Sequence, residues 1–196
     1  MTEWSPEDLR RAALEALSEY ADPRVRDALQ HGELAVVAGV SGWEASHGRV
    51  EAHGVTLSLD AERLGRVRAS HAAVDALFAA IAQAVATRRG EALHALELHW
   101  ARRVEHAVPR GYRDEPPGGE VTLMQALVAY LEGAGEAEVA HVVSGGAVAA
   151  DASGVRIVIA PEMLAKLGAL PHAVAALTAA VRDLLAKPHV AVTVES

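Results

Sequence analysis

Residues 61–86 read AERLGRVRASHAAVDALFAAIAQAVA, and residues 161–186, one hundred positions later, read PEMLAKLGALPHAVAALTAAVRDLLA. The two stretches align without a gap and share ten identical residues, among them the pair Leu77 and Leu177. Similar stretches at a fixed offset are typical of proteins built from internal repeats. The match therefore predicts two copies of one structural unit in this chain.

The similarity extends beyond these stretches, in the same order along both halves. Residues 40–42 read VSG, and residues 143–145 read VSG again. Chance similarity between two alanine-rich helices would not reproduce such flanking matches. We predict a first repeat over residues 1–101, a linker over residues 102–119 and a second repeat over residues 120–196, together forming one compact body.

Hydrophobic periodicity predicts the same elements in both halves. In the first repeat these are a helix that begins after Ser5, strands over residues 34–40 and 49–59, helices over 61–67 and 70–88, and a strand over 93–100. Ser5 and Ser70 are the predicted N-caps of the first helix and of the long helix over 70–88. In the second they are a helix over residues 122–132, strands over 138–149 and 155–159, helices over 161–167 and 171–186, and a strand over 190–194. The predicted fold class is α+β, an internal duplication of an α-β-β-α-α-β unit. We expect two halves related by a pseudo-two-fold axis, with helices packed on antiparallel or mixed sheets that join edge to edge or stack face to face.

Composition and charge narrow the class of protein. Hydrophobic residues make up 51% of the 196 residues, which is ample for a core and unlike a disordered chain. The formal net charge of −8 disfavours general nucleic-acid binding, because that function needs clustered positive charge. The absence of cysteine excludes thiol catalysis and cysteine-ligated metal. The sequence shows neither a signal-peptide pattern nor a transmembrane stretch, so we expect a cytoplasmic protein that acts without a membrane.

Residues found in only one repeat are the better functional candidates, because the shared scaffold does not require them. The first such feature is the predicted turn over residues 41–48, which holds Trp43 and His47 and is followed by His53. Tryptophan and histidine together offer an aromatic and polar surface for recognising a partner. The alternative is a longer hairpin in which Trp43 only covers apolar surface.

The second feature is a basic, aromatic-flanked linker in an otherwise acidic chain. It contains Arg102, Arg103, Arg110, Tyr112 and Arg113. Arginine forks suit carboxylates and phosphates, and their planes stack on aromatic rings. We therefore predict that these residues also bind a partner. The alternative is a solvated connector whose arginines neutralise the acidic halves.

Motifs of enzymatic chemistry are missing from the sequence. There is no glycine-rich phosphate loop, no His-x-x-x-His pair and no Gly-x-Ser-x-Gly elbow. His47 and His53, with Glu51, are spaced so that they could share one face, but spacing alone does not secure the convergent geometry of a metal site. We therefore predict no metal and no cofactor.

These observations favour a non-enzymatic interaction protein with a protein partner: an adaptor, a chaperone-like binder or a regulatory binder. The alternative is a small-molecule or metal-dependent enzyme whose site lies at the seam between the repeats, with ligands drawn from His47, His53, His94 and His99. A homo-oligomer is a further option, because the terminal strand over residues 190–194 could be an open sheet edge.

Overall fold

The structure is a computed structural model that describes residues 5–17, 21–44, 48–90, 92–101, 121–151 and 154–196. For residues 37–44 and 48–53, and for Arg89 and His94, it describes the backbone alone. In these residues the protein is mixed α+β, with eight helices and two three-stranded sheets.

The first half of the chain contains α1 (Pro6–Ala16), α2 (Pro23–His31), β1 (Glu33–Glu44), β2 (Gly48–Leu59), α3 (Ala61–Arg68), α4 (His71–Arg89) and β3 (Leu93–Trp100). The second half contains α5 (Leu123–Gly133), α6 (Ala137–Val143), β4 (Ala147–Ala150), β5 (Val155–Val158), α7 (Pro161–Gly168), α8 (Ala173–Leu185) and β6 (Val192–Glu195). Both halves therefore present their elements in the order α-α-β-β-α-α-β.

This order corrects the predicted six-element unit, which had one helix before the hairpin. In the second half, residues 138–149 are not one strand: they contribute to α6 and β4. The buried residues of α6 are Val139, Ala140, Val142 and Val143, a spacing that belongs to one face of a helix. Helix and strand are hard to distinguish in so short an apolar run, and burial on one helical face decided the outcome.

Local capping explains where most helices begin. Ser5 accepts a hydrogen bond from the backbone N–H of Asp8, and Ser70 accepts one from Ala73, as the sequence predicted. Thr122 forms a capping box with Gln125 at the start of α5. The additional helix α2 begins with Pro23 at its first position and Asp22 as its N-cap.

The two sheets are separate in the residues that the structure describes. The first has the strand order β1-β2-β3, and β1 pairs with β2 antiparallel. The second has the order β4-β5-β6, with β4 antiparallel and β6 parallel to the central β5. Of the two arrangements left open by the sequence, a six-stranded sheet joined edge to edge is therefore not formed there.

Backbone contacts divide the chain into two compact units, residues 1–59 with 67–99 and residues 60–66 with 100–196. The core of the first unit includes Leu9, Leu29, Leu57, Leu77 and Ile81, and that of the second includes Leu127, Leu131, Ile157, Leu177 and Val181. Among the described residues, no polar or charged residue is buried in either core.

Two glycines join residues 60–66 to α5 within the second unit. A Cβ on Gly65 would collide with the backbone carbonyl oxygen of Tyr130, and a Cβ on Gly133 would collide with that of Glu62. Only glycine lets the two backbones approach so closely. The contact is reciprocal: Gly65 lies against the carbonyl three residues before Gly133, and Gly133 lies against the carbonyl three residues before Gly65.

No single helix in the described part of the chain is long and apolar enough to cross a membrane. Two strongly bent pairs, α3 with α4 and α7 with α8, reach the required length and composition together, each with a bend of 104°.

Candidate functional site

The hairpin formed by β1 and β2 is the most extended feature of the first unit. Its strands are twelve residues long and match in ten described residue pairs, whereas β4 and β5 match in four. At about 3.4 Å per residue, each long strand spans roughly 40 Å. The part that runs from residue 40 to Glu44 and back from Gly48 to residue 53 is called the arm below.

Trp43 lies in strand β1 and not in the turn where the sequence placed it. The predicted turn over residues 41–48 was too long, because pairing continues to Glu44 opposite Gly48. Trp43 is matched with Arg49, and Ser41 with Glu51.

A register irregularity decides which face of the arm carries Trp43. Between Val37 and Val40, β1 advances three residues while β2 advances two, from Gly54 to Ala52. Such a bulge reverses the alternation of one strand relative to its partner. If regular pairing continued from Val37 and Gly54 without the bulge, Trp43 would lie opposite Gly48 and on the other face of the hairpin.

On β2 the buried residues Val55, Leu57 and Leu59 share one face, and the alternation of the strand places positions 53, 51 and 49 on the same face. The register adds Trp43 to this row. Trp43, Arg49, Glu51 and His53 therefore occupy positions on one face, called the arm face below. The sequence predicted Trp43 and His53 as binding residues but missed Arg49, because only the register reveals its pairing with Trp43.

The remaining predicted binding residues lie outside the described residues. They are His47, Arg102, Arg103, Arg110, Tyr112 and Arg113. The proposed metal-binding set of His47, Glu51 and His53 likewise cannot be assembled from described side chains.

Two other described histidines, His99 and His172, lie close to carboxylates. His99 Nε2 lies 3.0 Å from Glu97 Oε2 on β3, as expected for residues on the same side of a strand. His172 Nε2 lies 2.9 Å from Glu136 Oε2 and links the starts of α8 and α6. This second pair could not be predicted from the sequence, since its members are far apart in the chain. Within the described residues, no three metal-binding side chains come together.

Asp22 and Arg24 form the clearest electrostatic pair. The Arg24 Nε lies 3.0 Å from Asp22 Oδ1, and Arg24 Nη2 lies 2.8 Å from Asp22 Oδ2. These side-chain hydrogen bonds hold the pKa of Asp22 below its ordinary value, and the same bonds raise the pKa of Arg24. Because Asp22 also caps α2, the pair stabilises the start of a helix.

A cavity of about 340 Å³ runs along α1, where its described lining residues are Glu7, Arg10, Arg11, Leu14 and Glu15. The Arg10 Nη2 donates to the carbonyl oxygen of Gly32 at 2.8 Å, while its Nε is buried without a hydrogen-bond partner. Two arginines and two glutamates surround this space, so their charges favour neither an anion nor a cation.

No protein-family model matches this chain, and no curated protein matches it. The function must therefore be inferred from the residues of the chain itself.

Proposed function

We propose that this chain is a non-enzymatic interaction protein of the cytoplasm, an adaptor, chaperone-like binder or regulatory binder that recognises a protein partner. The scaffold is an internal duplication with repeats over residues 1–101 and 120–196, related by a pseudo-two-fold axis. What supports the duplication is the shared order of elements, together with the alignment of residues 61–86 and 161–186 on α3–α4 and α7–α8.

The observation that carries the proposed function is the arm. Among the hairpin residues whose side chains the structure describes, the buried apolar ones are Leu34, Val55, Leu57 and Leu59, near its base. The arm continues the paired strands β1 and β2 past these residues, and a partner that packs on it would stabilise it.

The arm face has the chemistry of a protein-binding surface. Tryptophan and arginine, present at positions 43 and 49, are the residue types enriched among those that dominate binding energy. His53 and Glu51 add polar groups that fix orientation. The arginine-rich linker over residues 102–119 supplies a second surface, suited to carboxylates on the partner.

The experiment is affinity capture from a native lysate of the source organism, read by mass spectrometry. The variants are Trp43→Ala with His53→Ala on the arm, and alanine at the four linker arginines, Arg102, Arg103, Arg110 and Arg113. The charge-matched control carries alanine at four exposed arginines elsewhere, Arg66, Arg68, Arg156 and Arg182.

We expect the wild type and the control to capture the same partner, and the arm variant to lose it. Affinity for the purified partner should then fall at least about 30-fold in the arm variant, the loss typical of a tryptophan hot spot. Thermal melting of each variant checks that it is folded. If folded arm and linker variants capture everything that the wild type captures, the proposal is wrong.

A further inference from the structure

Among the residues that the structure describes, strand β6 has a partner on one side of its backbone only. In the described residues it is hydrogen-bonded to β5 alone, at the edge of the second sheet. Val155 N–H donates to the Ala191 carbonyl at 2.8 Å, and Ile159 N–H donates to the Glu195 carbonyl at 3.0 Å. Because backbone polar groups alternate along a strand, Val192 and Val194 direct theirs away from β5.

The side chains of this edge are suited to further pairing. Val192 and Val194 are matched with the buried residues Val155 and Ile157 on the inner face, yet both remain partly exposed. Natural edge strands are commonly blocked by lysine, proline or a bulge. β6 has neither lysine nor proline and keeps an unbroken register with β5, while its four-residue length and Glu195 restrict further pairing to Val192, Thr193 and Val194.

We infer that a second copy of this chain pairs with β6 through its own β6, antiparallel and around a two-fold axis. Val192 then lies opposite Val194 of the second copy, and Thr193 lies opposite Thr193 of the second copy. The open N–H and C=O groups of Val192 and Val194 satisfy one another, and the inner faces of both sheets stay on the same side. Pairs of β-branched residues and of threonines are favourable across strands.

The strands at other edges whose register is given fit a second copy less well. On β4, the Asp151 N–H bonds the Gly154 carbonyl, so Val148 and Ala150 direct their backbone groups outward. Self-pairing there would place Ala149 opposite Ala149, with little side-chain contact. On β1, antiparallel self-pairing that keeps residues of the same face opposite one another would place Glu33 of each copy opposite Glu44 of the other. Like charges directly opposite each other repel.

The predicted contact is small. A pairing of so few residues falls in the class of transient interfaces that bury less than about 1,200 Å². We therefore expect association that depends on concentration, with a dissociation constant in the micromolar range or weaker. This surface is independent of the arm face proposed above for a protein partner.

Cysteine cross-linking of the full chain tests the inference directly, because the natural sequence has no cysteine. Thr193→Cys places two thiols across a non-hydrogen-bonded pair, where Cα atoms lie about 4.5 Å apart, within reach of a disulfide. Ala149→Cys is the matched control, since Ala149 would hold the same position in a pair formed by β4.

Under mild oxidation we expect Thr193→Cys to form a disulfide-linked dimer several-fold faster than Ala149→Cys. Sedimentation of the cysteine-free chain from micromolar to millimolar concentration should show its mass rising toward a dimer. Val194→Pro removes an outward N–H but no bond to β5, so it should suppress that rise, whereas Val148→Pro on the opposite edge should not. A constant monomer mass for the wild type, or faster linking by Ala149→Cys, would overturn the inference.

Discussion

The two halves of the chain share an order of elements but differ in the length of their hairpins. β1 and β2 are twelve residues each, whereas β4 and β5 have four residues each. The short pair still contributes the buried residues Val155 and Ile157 to its core. Four residues per strand are therefore enough for the scaffold, and the added length of the first hairpin is available for another purpose.

The long helices of the two units differ at their ends more than in their cores. Leu77 on α4 and Leu177 on α8 are both fully buried. Ser70 caps α4 with its side chain, while His172 at the start of α8 makes no such bond and contacts Glu136 instead. The two long helices therefore bury equivalent leucines but begin with different N-terminal contacts.

The largest effect is expected at the glycine contact of the second unit. Gly65→Ala or Gly133→Ala should lower the free energy of unfolding by about 1–3 kcal/mol, because each new methyl group meets backbone that cannot move aside. Gly168→Ala on α7 is the matched control, since no neighbouring atom lies within 4 Å of its added Cβ. It should be neutral or stabilising by up to about 1 kcal/mol. Urea denaturation measures all three, and equal effects at the three sites would contradict the close approach of α3 to α5.

A smaller effect is expected where α5 meets α8. The Tyr130 hydroxyl donates to Asp183 Oδ2 at 2.6 Å. In the alignment of the two repeats, the residue on α4 that corresponds to Asp183 is Gln83. Tyr130→Phe should lower the free energy of unfolding by about 1–2 kcal/mol, since the partner is a partly buried carboxylate. Gln83→Ala, at an exposed site, should change it by less than about 0.5 kcal/mol. Chemical denaturation measures both variants. If both lose the same free energy of unfolding, the Tyr130–Asp183 hydrogen bond does not stabilise the contact between α5 and α8.

Substitutions at the C-terminal caps of α4 and α8 are expected to change the stability of the protein in opposite directions. Both caps have the left-handed conformation, with φ of 69° at Gly90 and 52° at Ala186. Only glycine adopts it without steric cost. Gly90→Ala should therefore destabilise by about 1 kcal/mol, and Ala186→Gly should stabilise by a few tenths to about 1 kcal/mol. Thermal melting compares them, and a loss of stability in Ala186→Gly would contradict the strained cap.

The smallest effect concerns the N-caps of α2 and α6. Asp22 caps α2 with a lowered pKa, whereas Glu136 makes no side-chain cap on α6. A carboxyl with a lowered pKa in the folded state adds stability above its unfolded pKa, near 3.8, and loses it as the pH falls through the folded value. Asp22→Asn keeps a good cap, so below about pH 4 it should lose less stability than the wild type. Urea midpoints at pH 7 and pH 3 measure this difference. If the midpoint falls equally in the wild type and in Asp22→Asn, the pairing of Asp22 with Arg24 does not contribute to stability.

Much of the fold could be predicted because local signals were strong. Ser5 and Ser70 were recognisable as caps, and the spacing of apolar residues after them revealed α1 and α4. The prediction failed over residues 138–143, where a short apolar run fits either type of element. It also missed the helix over residues 23–31, to which no element was assigned.

The candidate site was less predictable, because its geometry depends on long-range register. The sequence identified Trp43 and His53 but could not reveal the extra residue in β1 that brings their positions to one face. The Tyr130–Asp183 and Glu136–His172 pairs were equally hidden, since tertiary packing alone brings their members together.

The grouping of residues 60–66 with the second unit has a practical consequence. These residues precede α4 in the chain, yet α4 belongs to the first unit. No single cut in the polypeptide can therefore release both units whole. A fragment that ends before residue 60 lacks α4, and a fragment that begins within residues 102–119 lacks the segment that Gly133 contacts. Any attempt to express the halves as separate proteins should carry a second copy of residues 60–66 on the later fragment.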